Sequence, residues 1–220
     1  VLKNGMTYYV VKNNDPERHA SFYLVTRIGA LMEEEDQNGL AHFLEHMAFN
    51  GSKLFPGNSL ISTMERQGIV YGENLNAYTT YGETVYNITD APVTDKNVID
   101  TCLMVLSEWS NGLLLRDEDI EAERGVIAEE WRVRRTSDAR IGEQVSDMMF
   151  NSSKYARHNV IGRLDIIKGF APQRLRDFYE RWHRPDLQAI IVAGDIDVKD
   201  IERRIIERFE NLPVLKDAPE

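Results

Sequence analysis

The sequence predicts an α+β fold in which a mixed, largely antiparallel sheet is covered by helices. Three observations support this prediction. Most strand-like segments fall in the first 90 residues, helical periodicity dominates from there to residue 182, and one further strand and helix follow. Strands followed by a run of helices are typical of α+β folds. Because the chain has no internal repeat and no low-complexity linker, we expect one domain over residues 1–220.

Local patterns place the individual elements. Residues 6–12 and 20–28 alternate and are rich in Val, Tyr and Phe, and the turn-like segment 13–16 between them predicts a hairpin. Asn38 is the expected N-cap of a helix over 38–50, with Gly51 just past its end. The other predictions are a helix over 59–67, strands over 72–81 and 84–89, helices over 94–110, 117–135, 139–150 and 171–182, a strand over 187–193 and a helix over 198–210.

Composition excludes several classes of function. The chain has 42% hydrophobic and 28% charged residues, which is ordinary for a globular protein. Its formal net charge is −10 and it has no long basic run, so we exclude nucleic acid as a partner, because nothing would neutralise the phosphates. The lone Cys102 excludes an internal disulfide and a cysteine-based zinc site. No apolar run reaches the length of a membrane span.

The stretch GLAHFLEHMAFNG at residues 39–51 contains two histidines four residues apart and a glutamate directly before the second. At ~100° per residue, His42, Glu45 and His46 share one face of a helix, opposite an apolar face. Two imidazoles one turn apart can bind one Zn²⁺, and a neighbouring carboxylate can take a proton from water that the metal activates. The order reverses the commoner His-Glu-x-x-His and keeps its spacing. The pattern indicates metal-assisted hydrolysis.

An alternative interpretation is that these polar residues simply occupy a solvated helix face. The metal interpretation requires a third protein ligand, because catalytic zinc takes three and leaves one coordination position open. A third ligand elsewhere in the sequence would therefore favour the metal interpretation.

The acidic helix predicted over 117–135 supplies a candidate. Helical geometry places Glu123 and Glu130 on one face with Val126 and Ile127. Burying a carboxylate is costly unless a cation or hydrogen bonds compensate it. We therefore interpret Glu130 as the third ligand and Glu123 as its companion. An ion pair with Arg134, one turn beyond Glu130, is the alternative explanation.

Several motifs then follow one another along the chain. They are Arg27-x-Gly29-x-x-x-Glu33, GLAHFLEHMAFNGS at 39–52, Asn76-Ala77-x-Thr79, ERGVIAEE at 123–130 and the segment 184–195. Together they resemble the pitrilysin family of zinc peptidases, the inverzincins, which include insulysin and the mitochondrial processing peptidases. The resemblance runs through most of the chain, to the zinc-bearing amino-terminal domain of that family.

The resemblance implies a role for each site residue. His42, His46 and Glu130 would bind the Zn²⁺ cofactor, Glu45 would be the general base, and the family's second glutamate falls on Glu123. These assignments imply a zinc-dependent metalloendopeptidase that hydrolyses extended peptides. A non-catalytic peptide-binding or assembly subunit is the alternative, because the family also contains partners that have lost zinc.

The resemblance also implies partners. Asn76 and Ala77 would lie on an edge strand to which a peptide substrate adds as a further strand. Family members resemble two such halves around a chamber, so we expect a second homologous domain or subunit, and an isolated domain of low activity. We expect the chain to be a fragment of a longer bacterial protein, and we favour the periplasm over the cytoplasm.

Overall fold

The computed structural model describes residues 1–151 and 153–215. The strands within this part are β1 (Thr7–Lys12), β2 (His19–Thr26), β3 (Leu75–Thr79), β4 (Thr84–Pro92) and β5 (Gln188–Gly194). They form one sheet in the order β1-β5-β2-β4-β3. The β1–β5 pair is parallel, and the other three pairs are antiparallel. The predicted mixed, largely antiparallel sheet is therefore confirmed.

Helices fill most of the remaining chain. Short 3₁₀ turns occur at Ala30–Met32, Glu35–Gln37 and Pro185–Leu187. The predicted helices are all present, and two short ones, over 154–157 and 164–169, were not predicted because four to six residues show too little periodicity. The α-helices are α1 (Leu40–Met47), α2 (Ser59–Glu65), α3 (Lys96–Asn111), α4 (Asp117–Arg134), α5 (Ser137–Phe150), α6 (Lys154–Arg157), α7 (Leu164–Gly169), α8 (Pro172–Trp182) and α9 (Val198–Phe209).

The predicted hairpin between the first two strands is wrong. Both strands form, but β5 lies between them, so that Tyr9 of β1 and Tyr23 of β2 are both register partners of Ile191. Alternating side chains identify a strand without identifying its neighbour. Here the neighbour comes from the far end of the chain, which no local turn signal could indicate.

One face of the sheet forms the core. Buried and partly exposed residues alternate along β2 and β5, and helices α3 and α9 pack on the sheet. Trp109 of α3 is fully buried, lies 5.3 Å from the ring of Tyr86 on β4, and donates its indole N–H to the carbonyl of Ala48 at 3.1 Å. Because Ala48 directly follows α1, this hydrogen bond ties the end of α1 to the core.

Helix α1 packs beside β3, which is one of the two edge strands of the sheet in the described part of the chain. Its sequence is amphipathic, and the apolar side chains of Leu40, Phe43, Leu44 and Met47 are buried as predicted. The face that carries the histidines points toward β3 and α4, with His42 buried there and His46 partly exposed.

Candidate metal centre

The start of α1 differs from the prediction. Asn38 is not the N-cap, because Gly39 occupies that position with φ of 100°, a left-handed conformation that favours glycine. The carboxylate of buried Glu33 caps the helix instead, accepting hydrogen bonds from the N–H groups of Gly39 at 3.0 Å and Ala41 at 2.9 Å. Two otherwise unpaired donors at the helix start are thereby satisfied. The cap holds the helix turn that begins just before His42.

Helix α4 packs against α1 and brings the predicted third ligand to the two histidines. Oε2 of Glu130 lies 3.7 Å from Nε2 of His42 and 3.2 Å from Nε2 of His46. One ligand atom from each of these residues falls within 4.8 Å of the others. Two imidazoles and one carboxylate are a donor set that catalytic zinc uses. The residues present therefore fit a zinc ion.

The alternative ion pair of Glu130 is also present. Its Oε1 lies 2.7 Å from a guanidinium nitrogen of Arg134, whereas Oε2 faces the histidines. The two carboxylate oxygens thus serve different partners. An ion pair and a metal site do not exclude each other here, because Arg134 leaves the inward oxygen of Glu130 available.

The burial argument for α4 was correct in part. Ile127 is fully buried and Glu123 is 9% exposed, as the shared face required. Val126, expected on the same face, is 53% exposed. It lies at the margin of that face, about 60° from Glu123 and on the other side from Ile127. The buried face of α4 is therefore narrower than its apolar pattern suggested, because it excludes Val126.

Glu123 lies behind the group formed by His42, His46 and Glu130. Its Oε1 is 2.8 Å from Nδ1 of His46, and its Oε2 accepts a hydrogen bond from the side-chain amide of Asn50 at 2.5 Å. A hydrogen bond at one imidazole nitrogen fixes the ring orientation and the tautomer at the other. Glu123 thereby directs Nε2 of His46 toward Glu130. Asn50 holds Glu123 from one turn beyond His46.

The two histidines have opposite pKa shifts. Burial, together with the neighbouring His46 charge, lowers the pKa of His42 to about 4, so His42 is a neutral imidazole near pH 7. Burial also acts to lower the pKa of His46, but its hydrogen bonds with Glu123 and Glu130 outweigh burial and raise this pKa to about 9. Hydrogen bonding to His46 is the main cause that lowers the pKa of Glu130. The cluster therefore favours a positive charge between two carboxylates.

Glu45 points from α1 toward β3. Its Oε2 accepts a hydrogen bond from Oγ1 of Thr79 at 2.5 Å. Burial raises the pKa of Glu45, and the Thr79 hydrogen bond opposes that effect. A carboxylate whose pKa is raised toward neutrality is better suited to exchange a proton near pH 7.

Asn76 and Ala77 lie on the edge strand β3, as predicted. Asn76 is exposed, and its Oδ1 accepts a hydrogen bond from the N–H of Ala77 at 3.0 Å. Side chains alternate along a strand, so Ala77 and Thr79 face α1 and Asn76 points to the opposite face. The hydrogen bonds of β3 with β4 involve Asn74 and Thr80, and by alternation the backbone groups of Ala77 point to the free edge.

The other histidines lie outside the cluster, as predicted. His158 is buried with Nδ1 at 3.6 Å from Oε2 of Glu33, and His183 is buried against the ring of Tyr179. Three residues that touch the site were not assigned from the sequence: Glu33, Asn50 and Thr79. All three stood within recognised motifs, which marked their positions and gave no physical role.

The sequence over residues 8–161 matches the family described as Insulinase (Peptidase family M16). The chain belongs to this family. The resemblance seen in the sequence is confirmed, and it rests on a match to well over half of the chain. Members of family M16 are peptidases by that description, and the His42, His46 and Glu130 cluster lies within the matched residues.

Curated relatives extend the similarity to nearly the whole chain. Probable zinc protease PqqL of Haemophilus influenzae is 37% identical over 216 residues, covering 98% of this chain and 23% of that protein. The protein of the same name in Escherichia coli is 37% identical over 217 residues, covering 99% of this chain and 23% of that protein. The chain thus spans about a quarter of the length of these relatives.

A solved structure supports the fold. The crystal structure of the first half of the periplasmic protease PqqL from Escherichia coli matches with a TM-score of 0.93 and 36% identity, over 100% of this chain and 47% of that one. The arrangement described above is therefore that of an M16 peptidase domain.

Within the described residues, no helix combines the length and apolar character needed to cross a membrane.

Proposed function

We propose that the chain is a zinc-dependent metalloendopeptidase domain that hydrolyses peptide bonds of extended peptides. The observation that carries this proposal is the convergence of Nε2 of His42, Nε2 of His46 and Oε2 of Glu130 beside Glu45. A zinc ion bound there would lower the pKa of a water molecule to about 7 and polarise the scissile carbonyl. The residues of the chain supply the remaining functions.

Glu45 is the general base in this proposal. Thr79 donates to its Oε2, so we assign Oε1 as the atom that takes the proton from the attacking water and later passes it to the leaving amine. Glu123 orients His46 through Nδ1, and Arg134 holds the outer oxygen of Glu130. His46, Glu130 and Glu45 thus each have a second contact that fixes the side chain. Nδ1 of His42 is buried and has no hydrogen-bond partner among the described residues.

The peptide would add to the free edge of β3. The backbone N–H and carbonyl of Ala77 point to that edge, and an extended peptide can pair with such groups as an additional strand. Asn76 Oδ1 now accepts the N–H of Ala77, so a peptide would have to replace this contact. This favours extended segments of substrates over folded surfaces.

The rest of the protein would complete the site. Because the chain spans 23% of the length of its curated relatives, we propose that a second homologous domain or subunit closes over β3 and the metal centre. We place the protein in the bacterial periplasm, since PqqL from Escherichia coli is described as periplasmic. We further propose that residues 1–220 form one catalytic domain, with low activity when isolated.

A non-catalytic subunit of the same fold is the rival function. Metal analysis of protein purified without added zinc separates the two functions. We expect one zinc per chain, loss of that zinc in His46→Ala, and retention in His19→Ala, which removes a histidine far from the cluster. Absence of stoichiometric metal from the unmodified protein, or equal metal in both variants, would contradict the enzymatic function.

A further inference from the structure

A chain of hydroxyl groups links the edge strand to Glu45. Oγ1 of Thr79 lies 2.5 Å from Oε2 of Glu45 and 3.2 Å from Oγ1 of Thr84. Thr84, on the adjacent strand, is buried, and its hydroxyl donates to the carbonyl of Ile28 at 2.9 Å. This series of contacts therefore runs from a buried backbone carbonyl, through the hydroxyls of two threonines, to the proposed base.

The direction of these hydrogen bonds follows from the donor inventory. A carbonyl only accepts, so the single hydroxyl hydrogen of Thr84 is used on Ile28. Thr84 then has only lone pairs to offer Thr79. The single hydrogen of Thr79 goes to the nearer, charged acceptor, the carboxylate of Glu45. Each hydroxyl is thus oriented by a partner that only accepts: the carbonyl of Ile28 for Thr84 and the carboxylate of Glu45 for Thr79.

We propose that Thr79 is a positioning residue that fixes the Glu45 carboxylate from the edge strand, and that Thr84 in turn holds Thr79. This inference rests on the proposed function, because it assigns Glu45 as the base. Thr79 lies two residues after Ala77, so the same short strand would pair with the peptide and orient the base. Movement of β3 on peptide binding would therefore be transmitted to Glu45 through one side chain.

A purely structural role is the competing explanation. Threonines opposite each other on antiparallel strands commonly contact and stabilise a sheet. Such a role explains the 3.2 Å contact between Thr79 and Thr84. It does not explain why the shorter contact of Thr79 reaches across to a carboxylate on α1.

The kinetic test uses Thr79→Val and Thr79→Ser in the full-length protein. We expect Thr79→Val to lower kcat roughly tenfold to a hundredfold, as loss of precise positioning does, with KM and zinc content unchanged. Thr79→Ser, which restores the hydroxyl, should return kcat to within about threefold of the unmodified enzyme. Thr89→Val is the matched control, because that hydroxyl on β4 donates to the carbonyl of Asn74, away from the site.

A thermodynamic cycle tests the contact without turnover. Thr79→Val, Glu45→Leu and the double variant are unfolded in urea with a chelator present. If the two side chains interact, the double variant should lose less stability than the sum of the losses in the two single variants. We expect a difference of roughly tenfold in the unfolding equilibrium constant. Additive effects would overturn the proposal, as would a Thr79→Val enzyme whose kcat is unchanged or which serine fails to rescue.

The two tests also separate this inference from the proposed function. If the unmodified protein lacks zinc and peptidase activity, the proposed function fails, and the unfolding cycle still decides whether Thr79 and Glu45 are coupled. If the protein is an active zinc peptidase and the cycle is additive, only the role of Thr79 fails.

Discussion

Nδ1 of His46 lies 2.8 Å from Oε1 of Glu123, while Nε2 of the same ring lies 3.2 Å from Oε2 of Glu130. Helix α4 thus contacts both nitrogens of one imidazole through carboxylates seven residues apart. Glu130 faces the proposed metal position, and Glu123 fixes the ring from behind. Two turns of one helix therefore determine the orientation of the second histidine.

Glu123→Gln should weaken zinc binding about tenfold to a hundredfold, because His46 loses the charged acceptor that orients its ring. Competition with a chromophoric chelator measures the affinity. Glu129→Gln on the same helix is the matched control, because Glu129 is exposed and pairs with Arg132. Equal zinc affinity in both variants would show that Glu123 does not support the metal site.

Glu45→Gln should retain zinc and bind peptide while kcat falls by roughly two to four orders of magnitude in the full-length protein. The amide has nearly the shape of the carboxylate but cannot take a proton from water. Hydrolysis of a quenched fluorescent peptide gives kcat, and metal analysis gives the zinc content. Unchanged turnover would mean that another group acts as base.

Ala77→Pro should raise KM for peptides roughly two- to tenfold, which corresponds to loss of one backbone hydrogen bond. Proline removes the N–H that faces the free edge, and proline is tolerated on edge strands whose N–H is not used within the sheet. Ala77→Val keeps that N–H and serves as the control. A KM equal to that of the control would argue against strand addition at β3.

His183 should make the protein less stable in acid. Its two ring nitrogens are buried without a hydrogen-bond partner in the described part of the chain, and burial lowers its pKa to about 3. The unfolded state binds a proton at this histidine more tightly than the folded state does. The free energy of unfolding is therefore unaffected by His183 above pH ~6.5 and falls progressively as the pH falls toward 3. Near pH 5 the loss should be about 2 kcal/mol.

Urea unfolding of the unmodified chain and of His183→Leu between pH 5 and 7.5 measures this effect. The variant should lose less stability over that range, because its buried side chain does not titrate. Parallel pH profiles for the two proteins would contradict the assignment to His183.

Short-range patterns predicted much of the candidate site. The spacing of His42, Glu45 and His46 placed them on one face, and the cost of burying carboxylates selected Glu130 and Glu123 on α4. What could not be predicted were contacts between distant segments. The cap from Glu33, the hydroxyl of Thr79 and the amide of Asn50 each depend on how a side chain meets another element. Polar residues offer no periodicity that reveals such partners.

The pairing of strands was unpredictable for a related reason. Tyr9 and Tyr23 both lie beside Ile191, which is 182 residues from Tyr9 and 168 from Tyr23 along the chain, and no turn specifies that arrangement. Element positions depend on local sequence, whereas sheet order depends on which strands the packed helices leave adjacent. The predicted fold class was therefore correct although one strand pair was wrong.

The position of β5 affects how this domain should be produced. The matched family segment ends at residue 161, ahead of β5, which occupies the second place in the sheet. An expression fragment cut at that boundary would leave β1 with no strand to pair with and expose one edge of β2, and such unpaired edges promote aggregation. During synthesis β1 and the same edge of β2 remain unpaired until residue 194, the end of β5, has left the ribosome. Chaperones that shield nascent strands should therefore improve the yield of soluble protein.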